Sequence, residues 1–282
     1  MWIKLQNLPF YLRWPVKVLV LAVTFFLICF PDPALFVRHI RHWQDPNAMI
    51  DPDLPALAPW FDEVRQGLKQ PDNPKQALRT VERFVNDKVP YRFDWETWGA
   101  ADYLPTLPEV LEKGYEDCDG RAVVAASLLQ KLGYKAELVT DFAHVWVKTD
   151  RGETMSPGKH RSVTATDQGL SINWKAVTQS LPQSLAYSVS PFPLVRELIF
   201  IGVLWGLLLR PGLGWVRPAV CLLVLFNGLL ILRFGGVNWK DPNAAAQLWG
   251  LGQMIAALWL LRRMGHRAFT GQLQAQTPAE TL

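Results

Sequence analysis

A single cysteine stands between acids in "EDCDGRAVVAASLLQKLGY", residues 116 to 134, where a helical pattern begins. A thiol at the N-terminal edge of a helix meets main-chain N–H groups and the positive end of the helix dipole, and both favour the thiolate. That placement makes Cys118 a candidate nucleophile. Asp117 and Asp119 act in the opposite direction, because neighbouring carboxylates disfavour a further negative charge. The thiol therefore needs a basic partner. His144 lies in the apolar segment "FAHVWVKT", at the start of a strand that a sheet can hold against the cysteine helix. A Cys–His pair supplies base and nucleophile together, although a histidine beside a tryptophan, taken alone, is more often a packed structural residue.

The same side chains are possible metal ligands, but no C-x-x-C or H-x-x-x-H spacing supports a zinc site. No metal and no cofactor is expected. Cys29 and Cys221 fall inside apolar runs, which leaves Cys118 alone in the polar part of the chain, so no structural disulfide is implied.

The elements that must position the pair are legible around it. "APWFDEVRQGLKQ" is amphipathic, and "NPKQALRTVERFVNDKVP" carries Asn73 as N-cap, Pro74 at the first helical position, and Ala77, Leu78, Val81, Phe84 and Val85 on one face. An aromatic, turn-rich stretch follows, with a short helix at 108 to 113. The cysteine helix runs from about 119 to 132, with Ala122, Ala125, Ala126, Leu129 and Leu132 inward and Gly133 as its stop. "KAELVT" and "AHVWVKT" read as strands, and Asp150-Arg151 as a two-residue turn leading into "GETMSPG". That turn pairs Thr149 with Gly152 and sets His144 opposite Pro157, with Ser156 adjacent.

Residues 74 to 157 resemble the transglutaminase-like superfamily of papain-like cysteine enzymes. The resemblance rests on "ALRTVERFVNDKVPYRFD", "LPTLPEVLEKG", "DCDGRAVVAASLLQKLGYKAELV" and "HVWVKTDRGETMSP", in the family's order and near its spacing. It implies that Cys118 is the nucleophile and His144 the base. The family's third member is an aspartate followed by proline. Here the matching dipeptide is Ser156-Pro157, and serine can accept the imidazole N–H bond but stabilises imidazolium less than a carboxylate. Asp141 and Asp167 are alternative orienting groups. The Cys118 N–H is the expected oxyanion donor, with the Trp98 indole as a second.

Four apolar runs, at 18–31, 198–209, 218–232 and 244–261, carry no charge and read as transmembrane helices. Lys4, Arg13, Lys17, Arg210, Arg217, Arg262, Arg263 and Arg267 fall on one face of that arrangement. The positive-inside rule then puts both termini in the cytoplasm and residues 32–190 outside the cytoplasmic membrane. The chain's charge of +4 belongs to the membrane segments, since residues 32–190 hold 18 Lys and Arg against 22 Asp and Glu. Nucleic acid is not an expected partner.

The expected organisation is a cytoplasmic N-terminus and first span at 1–31, an extended lead-in at 32–58, an exported domain at 59–190, three spans at 191–262 and a polar tail at 263–282, disordered over its last stretch. The fold class is α+β: a papain-like, transglutaminase-like domain with its cysteine helix on an antiparallel sheet, plus four transmembrane helices. The expected function is a membrane-anchored thiol enzyme acting on amide bonds of exported peptides or proteins, by hydrolysis or transamidation. The competing expectation is an inactive scaffold of the same fold that binds a peptide or a membrane-protein partner, which Ser156 favours.

Overall fold

Asn73 accepts the Gln76 N–H at 3.3 Å and Pro74 opens the helix behind it, so the local chemistry of capping starts the domain's first long helix as the sequence predicts. The computed structural model describes residues 9–68, 73–140, 144–156, 163–166, 169–172, 174–210, 213–238 and 241–276. It divides into two compact units, residues 29–180 and residues 1–28 with 181–282. The described chain is mostly helical, with one small three-stranded antiparallel sheet and a separate hairpin.

In the first unit, α2 (Pro33–Gln44) is followed by 3-10 turns at Pro46–Met49 and Pro55–Leu57. The lead-in is thus helical where an extended segment was expected. Asp32 caps α2 by accepting the Ala34 N–H at 2.8 Å, and Pro33 sits in its first turn. The prolines of this stretch start helical turns instead of preventing them. Next come α3 (Ala58–Gly67), α4 (Pro74–Lys88), the single turn α5 (Asp94–Thr97), α6 (Leu107–Lys113) and α7 (Cys118–Lys131).

Helix α7 is the centre of this unit. Gly120 and Ala122 to Leu129 are all buried, which corrects the single inward face expected from the sequence. The helix packs against α4 and α6 as well as against strands β1 (Ala136–Thr140) and β2 (Val145–Thr149). Each buried leucine or valine here contributes about 1.5–3 kcal/mol. Gly133, at φ 91°, ends the helix in the left-handed conformation.

Strand order is β1–β2–β3, with β3 at Gly152–Thr154. Thr149 pairs with Gly152, Lys148 with Glu153 and Val147 with Thr154, the register that a two-residue turn at Asp150-Arg151 demands. β3 ends at Thr154, so Ser156 lies beyond the strand, and Pro157 lies outside the described residues. Strands β4 (Val163–Thr166) and β5 (Gly169–Ile172) make a two-stranded sheet of their own.

The second unit holds α1 (Phe10–Cys29), α9 (Leu194–Leu208), α10 (Val216–Gly235) and α11 (Ala244–Gln276), with the last turns of α8 (Trp174–Val189). Among the described residues three helices are long and apolar enough to cross a membrane, at Tyr11–Cys29, Val216–Gly235 and Ala244–Gly265. The expected span at 198–209 is different. Helix α9 forms a pair with Leu181–Val189 that is bent by 100°, at a break containing Pro191 and Pro193. If that pair is one span, the spans number four. Helix α11 continues to Gln276 through part of the stretch expected to be disordered, and residues 277–282 lie outside the described chain.

Candidate active site

Cys118 is the first residue of α7, and Asp117 is its N-cap, accepting the Asp119 N–H at 3.0 Å. The thiol is half-buried and donates to Asp119 Oδ1 at 3.1 Å. The Val145 N–H also reaches the sulfur. Since Val145 follows His144 in the chain and opens β2, the strand expected to carry the base does meet the cysteine.

Burial pushes the Cys118 thiol well above its ordinary range, and the carboxylates of Asp117 and Asp119 push it further, while the Val145 N–H pulls it back. Charge repulsion and desolvation outweigh the helix N-terminus. In this state the sulfur rests as a thiol.

His144 is half-buried, and its Nε2 is 2.9 Å from the main-chain carbonyl of Met155. A carbonyl only accepts, so Nε2 carries a proton, and in the neutral ring Nδ1 keeps the lone pair. Met155 has φ 57°, a left-handed conformation that non-glycine residues seldom adopt. That turn of the backbone accompanies the carbonyl aimed at the imidazole. Ser156, the side chain expected to take the orienting role, is the next residue and half-buried. Asp141 and Asp167 lie outside the described residues.

Trp98 does not serve as the second oxyanion donor, because its indole N–H donates to Glu116 Oε1. The carboxylate behind that bond belongs to a group missed in the sequence. Asp94, Glu116, Asp117 and Asp119 are all buried, gathered from the turn α5, the loop before α7 and the first turn of α7 itself. One oxygen each of Asp94, Glu116 and Asp117 lies within 4.8 Å of the others. Burial raises Asp94, Asp117 and Asp119 well above the carboxylate range, and repulsion from neighbouring acids, Glu116 and Asp102 among them, adds to it. Glu116 is pushed up to about 7 by burial, against the pull of the Asp117 N–H and Trp98 bonds. Gly120 makes room for this arrangement: a Cβ there would stand 2.3 Å from Glu116 Cγ.

Helix α2 braces the loop that encloses the acids. Leu104 N–H donates to His39 Nδ1 at 3.3 Å, His42 Nδ1 is 2.6 Å from the Leu104 carbonyl, and Tyr103 is fully buried against the Trp98 ring at 4.8 Å. Tyr103 N–H in turn holds Asp94 Oδ2 at 2.6 Å. Only a tertiary contact brings α2 and α5 to the cysteine, and no local spacing encodes it.

No protein-family model, curated protein or solved structure matches the chain.

Proposed function

We propose that this chain is a membrane-anchored thiol enzyme of transglutaminase-like type, which attacks amide carbonyls with Cys118 and uses His144 as its base. The observation that carries the reading is the Val145 N–H on the Cys118 sulfur, which places the start of the histidine strand at the helix terminus bearing the thiol. The Met155 carbonyl adds to it by selecting the Nε2–H tautomer, the one with Nδ1 free of its proton and able to accept the thiol's. Attack joins sulfur to the carbonyl carbon and expels the amine, which takes the proton from the imidazolium. Water or another amine then resolves the thioester. The substrate is an exported peptide or protein, and the domain faces away from the cytoplasm because the basic residues flanking the spans gather at the opposite face.

A second reading has its own support. The thiol donates to Asp119 and is held protonated by burial and two carboxylates, which suits a scaffold that keeps the fold and binds a peptide or a membrane-protein partner. The deciding experiment is the rate of Cys118 alkylation at pH 7.5 in the purified full chain, with Cys29 and Cys221 replaced by serine, compared with the same chain carrying His144→Ala. A drop of about tenfold or more on losing the histidine supports the enzyme. Equal rates support the scaffold.

A further inference from the structure

We propose that Arg13, Lys17, Arg210 and Arg262 form a site for the phosphate headgroup of an anionic phospholipid, at the end of the apolar unit where α1 begins. The inference does not rest on the thiol chemistry.

The four cations come from three separate places in the chain and gather around one ring. The Lys17 ammonium lies 5.9 Å from the centre of the Trp14 ring, and the Arg262 guanidinium, brought by α11, lies 5.5 Å from it. Arg210, just beyond α9, lays its stem on α11. A Cβ at Gly265, three residues after Arg262, would stand 3.0 Å from Arg210 Cδ. Arg13 and Arg262 are close enough to repel the Arg210 guanidinium, and Arg13 and Arg210 to repel Lys17.

Hydrogen bonds do not remove these charges. Lys17 is buried and donates to the Leu207 carbonyl, which satisfies an N–H and leaves the ammonium positive. The sequence offers little countercharge at this end: segments 1–17, 210–217 and 262–282 hold eight Lys and Arg against one acid, Glu280, which lies outside the described residues. Like charges brought together and partly withdrawn from water oppose the packing of the helices that carry them, and an anion among them reverses the sign. Arg13 and Arg210 are half-buried and Arg262 is exposed, so the base of the cluster is fixed while its outer side is open to a ligand.

Depth selects the anion. At the same end of the apolar helices Trp215 is 84 % exposed and Trp259 is 55 % exposed, the latter with the Arg263 guanidinium 5.0 Å from its ring. Exposed tryptophans at the ends of apolar helices mark the membrane interface, the level of the lipid phosphates. Basic pockets between membrane helices at this level suit acidic headgroups, and guanidinium groups meet phosphate oxygens with paired N–H donors. Phosphatidylglycerol brings a net negative charge into the cluster. Phosphatidylcholine brings a cation of its own with its phosphate, and gains little.

The test uses the full chain in nonionic detergent, freed of lipid, with phosphatidylglycerol, phosphatidylcholine or inorganic phosphate added at low salt. Thermal unfolding measures stabilisation, and native mass spectrometry counts the lipids retained. Phosphatidylglycerol should raise the midpoint saturably, by about 3 °C when present at roughly ten times its Kd, with one lipid held per chain, and the shift should shrink in about 0.5 M salt. Arg210→Gln combined with Arg262→Gln should weaken binding by at least about tenfold. Arg262→Gln alone, at an exposed side chain, should weaken it by about fivefold and serves if the double variant does not fold. Arg79→Gln, exposed on α4 in the other unit, should bind as the parent does. Equal stabilisation by phosphatidylcholine overturns the proposal, as does phosphatidylglycerol binding unchanged by the arginine variants. Stabilisation by inorganic phosphate that matches the lipid's overturns the lipid assignment.

Discussion

The main-chain carbonyl of Met155 accepts a hydrogen bond from His144 Nε2 at 2.9 Å, so a backbone group, which carries no side-chain identity, helps to orient the imidazole. The transglutaminase-like pattern expects a carboxylate in that role, and Ser156 stands at the matching position. A carbonyl fixes the tautomer as a carboxylate does, yet stabilises the imidazolium less. Replacing Ser156 by alanine leaves this bond in place. We expect Ser156→Ala to keep the alkylation rate of Cys118 within about fivefold of the parent, the worth of roughly one neutral hydrogen bond. His144→Ala should fall well below that. A Ser156→Ala chain as slow as His144→Ala would show that the serine, and not the carbonyl, holds the ring.

Gly120 offers a test of the packing that creates the site. A Cβ at this position would lie 2.3 Å from Glu116 Cγ and 2.9 Å from Val110 Cγ2. Neither neighbour can retreat easily, because Glu116 is fully buried and bonded to Trp98, and Val110 is in the core. Gly120→Ala gains helix propensity of about 1 kcal/mol and is nevertheless expected to lose stability by about 1–3 kcal/mol net through overpacking. Thermal unfolding of the full chain followed by circular dichroism measures it, and a variant as stable as the parent would mean that α6 and α7 are farther apart.

Much of this architecture is readable from local chemistry. The Asn73-Pro74 start, the Gly133 stop and the β2–β3 register all follow from interactions between residues a few positions apart, and the structure shows each of them. What escaped sequence reading depends on contacts across the chain. Asp94 looks like an ordinary surface acid in "RFDWETW" until Tyr103 and the α7 terminus close over it. The small side chains of α7 suggested one inward face, whereas helices on one side and a sheet on the other bury the whole girth. Proline-rich residues 32–58 read as extended because four prolines interrupt any periodicity, while three of them in fact open helical turns.

His39 gives a pH dependence whose sign can be worked out. Its ring is buried, Nδ1 accepts the Leu104 N–H, which requires the neutral form, and Nε2 is 3.7 Å from Asp102 Oδ2. Burial lowers its pKa, with His42 acting in the same direction and Asp102 opposing. With the folded value below the unfolded value of about 6.5, the unfolded chain takes up this proton first as pH falls. His39's contribution is therefore complete above about pH 6.5 and lost on acidification towards the folded value. His39→Gln keeps a hydrogen-bond acceptor and removes the titration. The parent should exceed the variant by about 1 kcal/mol at pH 7.5, and the gap should close or reverse by pH 5 in denaturant melts. A gap that widens on acidification would show that the Asp102 pairing, not burial, governs the ring.

In the apolar unit, Arg233 acts as a clasp on the bend before α9. Its guanidinium pairs with Glu197, which is 13 % exposed, and the same Nη1 donates to the carbonyls of Val189 and Phe192, the latter at 2.8 Å. Those carbonyls belong to the break, where helical hydrogen bonding is interrupted and partners must come from elsewhere. Arg233→Gln strands the carboxylate and takes a donor from both carbonyls, of which Val189 keeps the Phe192 N–H. We expect a loss of stability on the order of 3 kcal/mol, read as a clear fall in the thermal midpoint in detergent. Adding Glu197→Gln should recover part of it by removing the unpaired charge, and a double variant no better than the single would assign the loss to the carbonyls alone.

The clasp bears on topology as well. Helix α9 has fifteen residues, about 22 Å of rise, which is short of the roughly 30 Å hydrocarbon core. Joined to Leu181–Val189 the pair is long and apolar enough to cross a membrane despite its bend of 100°. A broken helix is tolerated at membrane depth where its freed carbonyls find donors within the protein, and Arg233 supplies them. If this pair crosses once, the described residues hold four spans and the C-terminus returns to the side of the N-terminus. Reporter fusions at each end should then both report the cytoplasm if the positive-inside rule holds for the basic flanks, and a fusion between residues 67 and 73 should report the far side. Termini on opposite sides would make the bent pair re-entrant, reduce the spans to three, and leave the N-terminal flank, Arg13 and Lys17, to decide which face of the membrane the cysteine sees.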